Sequence, residues 1–173
     1  RVAAETVDLP RLVARAGVLV RNAERSEVIK AALMAGADRV THDTTSADLL
    51  NYRRSATDQT ANGLDRRYGA GQLNARNSYW ILAAGEQGST EDGNAAANVA
   101  SRGFDYDPYF GGSSGSNTTA TYPLPVDTVP RLLTAALVWN LDINGGTASS
   151  FNPAATLRDL NLEVLDLSEA GNP

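Results

Sequence analysis

The side chains that could do chemistry are few and scattered. The chain holds a single histidine, His42, followed by Asp43 and Thr44. An imidazole can act as general base or ligand, but this one lies in a polar run and reads as a surface side chain. With one histidine and no cysteine, disulfides, thiolate metal sites and a His-rich metal site within one chain are excluded. Ser113-Ser114-Gly115 lacks the Gly-x-Ser-x-Gly elbow that exposes a nucleophile, and reads as a loop. Asp105 and Asp107 flank Tyr106. Alternating carboxylates suit calcium, yet calcium takes about six to eight oxygens, and two carboxylates read as a solvated turn. Phe104, Tyr106, Tyr109 and Phe110 could stack on sugar rings or cap one end of an apolar core. Asn117-Thr118-Thr119 is a glycosylation triplet of a kind that also arises by chance. No catalytic, cofactor-binding or metal-ligating residue is assigned within this chain.

The elements that must position these groups fall into two halves. The 173 residues (18.3 kDa) suffice for one domain or two small ones. Residues 1–85 carry twelve Lys+Arg against nine Asp+Glu, and residues 86–173 carry three against eleven. A charge step of this size, at a Gly/Ser/Asn-containing stretch, suggests a boundary. The acidic second half argues against a nucleic-acid surface there, and the first is too balanced to suggest one. No apolar run approaches the roughly 18 residues that cross a bilayer. The first residue is Arg1 and no signal-like apolar region follows it, so the natural start is expected to lie elsewhere or to have been removed.

The most structured stretch is Tyr68-Gly69-Ala70-Gly71-Gln72-Leu73-Asn74-Ala75-Arg76-Asn77-Ser78-Tyr79-Trp80. Gly69 and Gly71 supply a turn in which the backbone can take positive φ. Asn74 suits an N-cap, and Gly85 suits the left-handed position after a helix ending at Ala84. Leu73, Asn77, Trp80 and Ile81 recur near helical spacing, so one face can dock on something larger. By itself this is a packing helix without chemistry. Upstream, Ser26 suits an N-cap for a helix through Ala35 with Gly36 as its stop. Val28, Ile29, Ala32, Leu33 and Ala35 form its apolar stripe. A helix over 2–8 and another from Pro10 through Leu12, Val13 and Ala16 to Gly17 are expected. The polar run 39–67 reads as a long surface excursion.

Gly-x-Gly-x-Leu-Asn-Ala leading into a helix resembles the segment that closes the peptidase domain of subtilisin-like serine proteases. Glu27-Val28-Ile29-Lys30-Ala31-Ala32-Leu33-Met34-Ala35-Gly36-Ala37, about forty residues upstream, resembles that family's preceding surface helix, and the order agrees. Arg1-Val2-Ala3 is similar to the helix just beyond the family's nucleophile, whose motif reads Gly-Thr-Ser-x-Ala-x-Pro. The resemblance thus implies a catalytic serine shortly before Arg1. Asp-[Thr/Ser]-Gly, His-Gly-Thr and Gly-Thr-Ser-x-Ala, which carry the triad in this family, do not occur in the chain. His42 also falls after the serine in family order, where no triad member belongs.

The second half reads as β-structure. Strands are expected over 97–104, 118–124, 132–140 and 157–167. The clearest is 132–140, with Leu133, Ala135, Leu137 and Trp139 alternating on one face. Asn144-Gly145-Gly146 is turn chemistry. The segments 135–140 and 159–164 resemble strands of the jelly-roll sandwich that follows the peptidase domain in many subtilisin-like proteases, although a full jelly roll has about eight strands.

The expected fold class is therefore α+β: helices from the end of a subtilisin-like α/β domain (1–85), a linker (86–98) and a partial jelly-roll β-sandwich (99–173). The resemblance implies a hydrolase parent acting by a Ser-His-Asp triad that lies outside this chain, secreted or periplasmic, with a peptide or protein substrate. Its first partner would be the remaining N-terminal part of the peptidase domain. No cofactor is implied in this chain, and calcium stays open for the parent. Two alternatives remain: a non-catalytic β-sandwich binding or adhesion module with a helical adaptor, and a homologue that has lost its triad.

Overall fold

A computed structural model describes residues 11–13, 19–39, 57–91, 99–108, 110, 117–124, 132–147 and 149–165. The chain divides into two units, Arg1–Ala136 and Leu137–Pro173.

The first unit opens with β1 (Arg11–Val13) paired antiparallel to β2 (Leu19–Arg21), Leu12 opposite Val20. This corrects the helix expected from Pro10 to Gly17. Only six residues separate that proline from that glycine, too few for a helix to repay its nucleation. Val13 and Val20 favour extended backbone, and pairing supplies the hydrogen bonds a short helix would leave open.

A 3₁₀ turn (Asn22–Glu24) leads from β2 into α1 (Ser26–Ala35). Ser26 is not the N-cap. Arg25 takes that place in extended backbone (φ −75°, ψ 144°), its carbonyl accepting from Ile29 N at 2.9 Å. Ser26 is the first helical residue, and its hydroxyl donates to Glu27. Val28 and Ala32 are buried, whereas Ile29 and Leu33 on the same stripe are each 40% exposed. α1 ends at Gly36, as expected, but in right-handed backbone (φ −79°). The need for glycine there is space: a Cβ would lie 2.7 Å from both Ser78 N and Ser78 Oγ.

α2 (Ala75–Ala83) starts as its sequence predicts. Asn74 is extended and its side-chain oxygen accepts from Asn77 N at 3.0 Å. Ala84 is the C-cap and Gly85 follows with φ 94°, the left-handed stop that glycine tolerates. α1 and α2 pack against each other. Ala23, Val28 and Phe104 form the local core, with Ile81, Leu82 and Tyr106 against it.

The start of the expected linker is pinned. Gln87 N donates to Phe104 O at 2.7 Å and Phe104 N to Gly85 O at 3.2 Å, a single parallel bridge between Glu86 and Phe104. Thr90 N donates to Thr121 O, and Val99 N to Pro123 O. The strands expected at 97–104 and 118–124 form no ladder among the described residues.

In the second unit β3 (Asp142–Thr147) and β4 (Ser150–Thr156) make an antiparallel hairpin. Asn144-Gly145-Gly146 lies inside β3 and is not the turn. Asn144 pairs with Ala154 and Gly146 with Phe151, so the register slips between them in a bulge, and Gly146 takes φ 77°. The glycines permit a bulge as readily as a reversal. The hairpin closes further on, where Ser150 N donates to Thr147 Oγ1 at 3.1 Å.

Residues 132–140 and 157–165 belong to no ladder. Leu133, Leu137 and Trp139, expected to face inward, are 45%, 38% and 36% exposed, and Leu162 and Val164 are 56% and 70% exposed. Period-2 alternation creates an apolar face but does not provide the sheet that buries it. Among the described residues no helix is long and apolar enough to cross a membrane.

Gly36→Ala should destabilise the chain by about 1–3 kcal/mol, the usual cost of forcing atoms into a filled space. A lower denaturant midpoint would report it. An unchanged midpoint would mean that α1 and α2 separate freely at this contact.

Candidate functional site

Asp38 is where the two signature segments meet. Its backbone exchanges two hydrogen bonds with Gln72, Asp38 N to Gln72 O at 2.8 Å and Gln72 N to Asp38 O at 2.9 Å. Gly71, next along the chain, has φ 129°, and a Cβ on it would sit 2.3 Å from the Asp38 carbonyl oxygen. No side chain fits.

The Asp38 carboxylate then turns to the start of α2. Asn74 Nδ2 donates to both its oxygens, at 3.0 and 2.9 Å, and Asn77 Nδ2 reaches Oδ1 at 3.4 Å and Gly36 O at 3.3 Å. Asn74 thus works at both ends of its amide, capping α2 with oxygen and gripping Asp38 with nitrogen. Ser78 completes the contact under Gly36, its hydroxyl donating to Asn74 O at 3.0 Å. The turn before Gly71 is fixed by Asp65, which is 3% exposed. Its Oδ1 accepts from Arg67 N and Tyr68 N at 2.7 and 2.8 Å, and Gly69 continues the turn at φ 59°.

Beside this knot an open groove of about 580 Å³ is lined chiefly by Ile29, Lys30, Leu33, Met34 and Leu73. Leu73 is 65% exposed. The face is mostly apolar, with Lys30 and Ser26 as its polar side chains, so it offers chiefly packing surface.

A second polar cluster ties the stretch after α2 back to the 3₁₀ turn. Buried Asn22 donates through Nδ2 to both oxygens of Glu86, at 3.0 and 3.2 Å, and accepts from Arg25 Nε at 3.0 Å. The Arg25 guanidinium lies 3.9 Å from the centre of the Tyr106 ring, a cation–π contact. Burial pushes the Glu86 carboxyl above its ordinary value of 4.5; the Asn22 amide opposes this and the Asp105 carboxylate adds to it. Further on, Glu91 accepts from Thr121 N at 2.7 Å and Thr121 Oγ1 at 2.8 Å. Those bonds, the backbone one first, hold its carboxyl down at about 2.

The structure separates the residues that the sequence grouped. Phe104 is buried in the core and Tyr106 packs on that core under Arg25, so neither forms an open sugar platform. Asp105 accepts from Tyr106 N and from the Tyr122 hydroxyl, while Asp107 accepts from Asn117 Nδ2 at 3.3 Å. The two carboxylates serve different partners, and no group of three metal-ligating acidic, histidine or cysteine side chains occurs among the described residues. The glycosylation triplet begins at that half-buried Asn117. His42, Tyr109 and Ser113-Ser114-Gly115 lie outside the described residues.

Asp38, Asn22 and Glu86 had not been singled out in the sequence. Asp38 carries one legible signal, an acidic residue two positions past the glycine that ends α1. Asn22 and Glu86 carry none, since their pairing spans 64 residues.

No known protein family, curated protein or solved structure matches the chain.

Asp38→Ala strips the Asn74 and Asn77 amides of their shared acceptor and should cost about 1–3 kcal/mol in urea unfolding. Asn77→Ala removes only long bonds and should cost less than about 1 kcal/mol. Equal losses would show that the carboxylate is not the centre of the knot. Glu86 sets a pH slope. Between its ordinary value and its raised one the folded state keeps a proton that the unfolded chain has released, so this contribution is present at low pH and lost as pH rises. Glu91 acts oppositely and lower: its contribution falls away as pH drops from 4.5 towards about 2. Unfolding midpoints across pH for Glu86→Gln should lack the first slope and retain the second.

Proposed function

We propose that the chain is the C-terminal portion of a subtilisin-like serine endopeptidase, whose triad lies outside these 173 residues. α1 and α2 would be the last helices of the α/β peptidase domain and would buttress its substrate cleft. The β-rich remainder would belong to an appended jelly-roll sandwich that steadies the catalytic domain or extends its specificity. In this reading the parent hydrolyses peptide bonds through a serine acyl-enzyme, is secreted or periplasmic, and leaves calcium open as an ion of the parent.

One observation carries the reading. The two segments that resemble the family, 27–37 and 69–75, are locked together at Asp38, with Gly36 and Gly71 each present because a Cβ would collide. The glycines and the asparagine of the motif therefore act as one mechanical unit, the use that a protease scaffold would have for them. Ile29, Leu33 and Leu73 beside the knot fit the same reading, being placed to pack against the rest of such a domain.

The test uses the native polypeptide from its source, treated with a fluorophosphonate probe and mapped by peptide mass spectrometry. The expected label falls on a serine preceding Arg1, within Gly-Thr-Ser-x-Ala, and on none in residues 1–173. A native polypeptide that takes no label would favour the non-catalytic binding module. Label on a serine inside this chain would overturn both readings.

A further inference from the structure

The sequence contains two Asn-Gly pairs, Asn62-Gly63 and Asn144-Gly145. Such pairs can convert spontaneously, because the glycine nitrogen meets no side chain as it closes on the asparagine side chain. The sequence ranks the two alike, and the fold does not. Asn144 sits in β3 opposite Ala154, two residues from the pairing of Gly146 with Phe151. Asn144 is held in the β3–β4 ladder, so the backbone movement that ring closure needs is resisted there by strand pairing.

Asn62 and Gly63 form the exposed tip of a short hairpin. Arg66 N donates to Asp58 O at 3.0 Å and Thr60 N to Leu64 O at 2.8 Å, while Gly63 turns the chain at φ 74° with open space around it. One backbone bond, Gly63 N to Thr60 O at 3.0 Å, restrains the nitrogen that must attack. That single bond on the Gly63 nitrogen is exposed and breaks at small cost while the Thr60–Leu64 pairing beneath it holds. The Thr60 hydroxyl lies against both the Asn62 side-chain oxygen and the Leu64 carbonyl, and accepts from Leu64 N. When its proton points at Asn62 Oδ1 it polarises the carbonyl and steadies the negative charge that attack would develop there.

We propose that Asn62-Gly63 is a self-modification site, at which the folded chain converts Asn62 to aspartate and isoaspartate. The Gly63 nitrogen gives its proton to solvent base and forms a bond to Asn62 Cγ. The Cγ–Nδ2 bond breaks, and ammonia leaves with a proton taken from water. Water then opens the five-membered imide. Breaking the Cγ–N bond gives aspartate; breaking the bond from the Asn62 main-chain carbonyl carbon to that nitrogen gives isoaspartate. The sum is amide plus water to acid plus ammonia, with no change of oxidation state. Isoaspartate inserts a methylene into the main chain at the tip and loosens the pairing of Thr60 with Leu64. That pairing leads into Asp65, which anchors the Tyr68 turn, so the change reaches the base of the signature motif.

The test is to age the intact chain in mildly alkaline buffer, folded and in concentrated urea, and to follow both sites by tryptic peptide mass. Peptide 55–66 carries Asn62 and peptide 132–158 carries Asn144. In the folded protein Asn62 should convert several-fold faster than Asn144, and in urea the two rates should converge. Conversion of Asn144 as fast as Asn62 in the folded protein, the same ratio folded and unfolded, or an unconverted Asn62 would each overturn the proposal.

Discussion

The absent side chain of Gly71 is the constraint on which the described helical structure depends. Any other residue there would drive a Cβ to 2.3 Å from the Asp38 carbonyl, so only glycine lets the two strands of chain exchange their pair of backbone bonds. With that pair formed, the Asp38 carboxylate falls within reach of Asn74, and Asn74 fixes the first turn of α2. The packing of Gly36 under Ser78 follows from the same placement. One missing methyl group therefore sets the position of a helix.

Polar contacts carry this geometry because the apolar core around it is small. The buried apolar residues among those described are Ala23, Val28, Ala32, Val99 and Phe104, mostly short side chains that remove little area from water. The larger ones, Ile29, Leu33, Leu73, Tyr79 and Trp80, keep substantial exposure. Hydrogen bonds contribute modestly to net stability but are directional. They fix where α1, α2 and the 86–106 stretch lie, while the exposed apolar side chains mark surface still available for packing. The described residues thus define their geometry more firmly than they bury their surface.

Chemical roles shift once the fold is in view. Side chains that could have been ligands or platforms are consumed as ties: Asp105 and Asp107 hold turns, and Tyr106 takes the Arg25 cation on its face. Asn22 and Glu86, which carry no signal in the sequence, form a part-buried link whose carboxyl lies above its ordinary value because burial removes water from around it.

What the sequence by itself determined is local. The Asn74 cap, the left-handed Gly69 and Gly85, the end of α1 at Gly36 and the existence of both helices follow from contacts within a few residues, where side-chain chemistry and backbone freedom leave few choices. What only tertiary structure decided is the use made of those pieces. Gly36 and Gly71 are required by partners distant in sequence, Ser78 and Asp38, Arg11–Val13 is a strand because Leu19–Arg21 pairs with it, and Asn144-Gly145-Gly146 bulges because β4 runs on past it. Leu133, Leu137 and Trp139 alternate as a strand's side chains do, as do Leu162 and Val164, and all five still lie exposed. Periodicity states which faces a segment could bury, and burial requires a second surface that no single segment encodes.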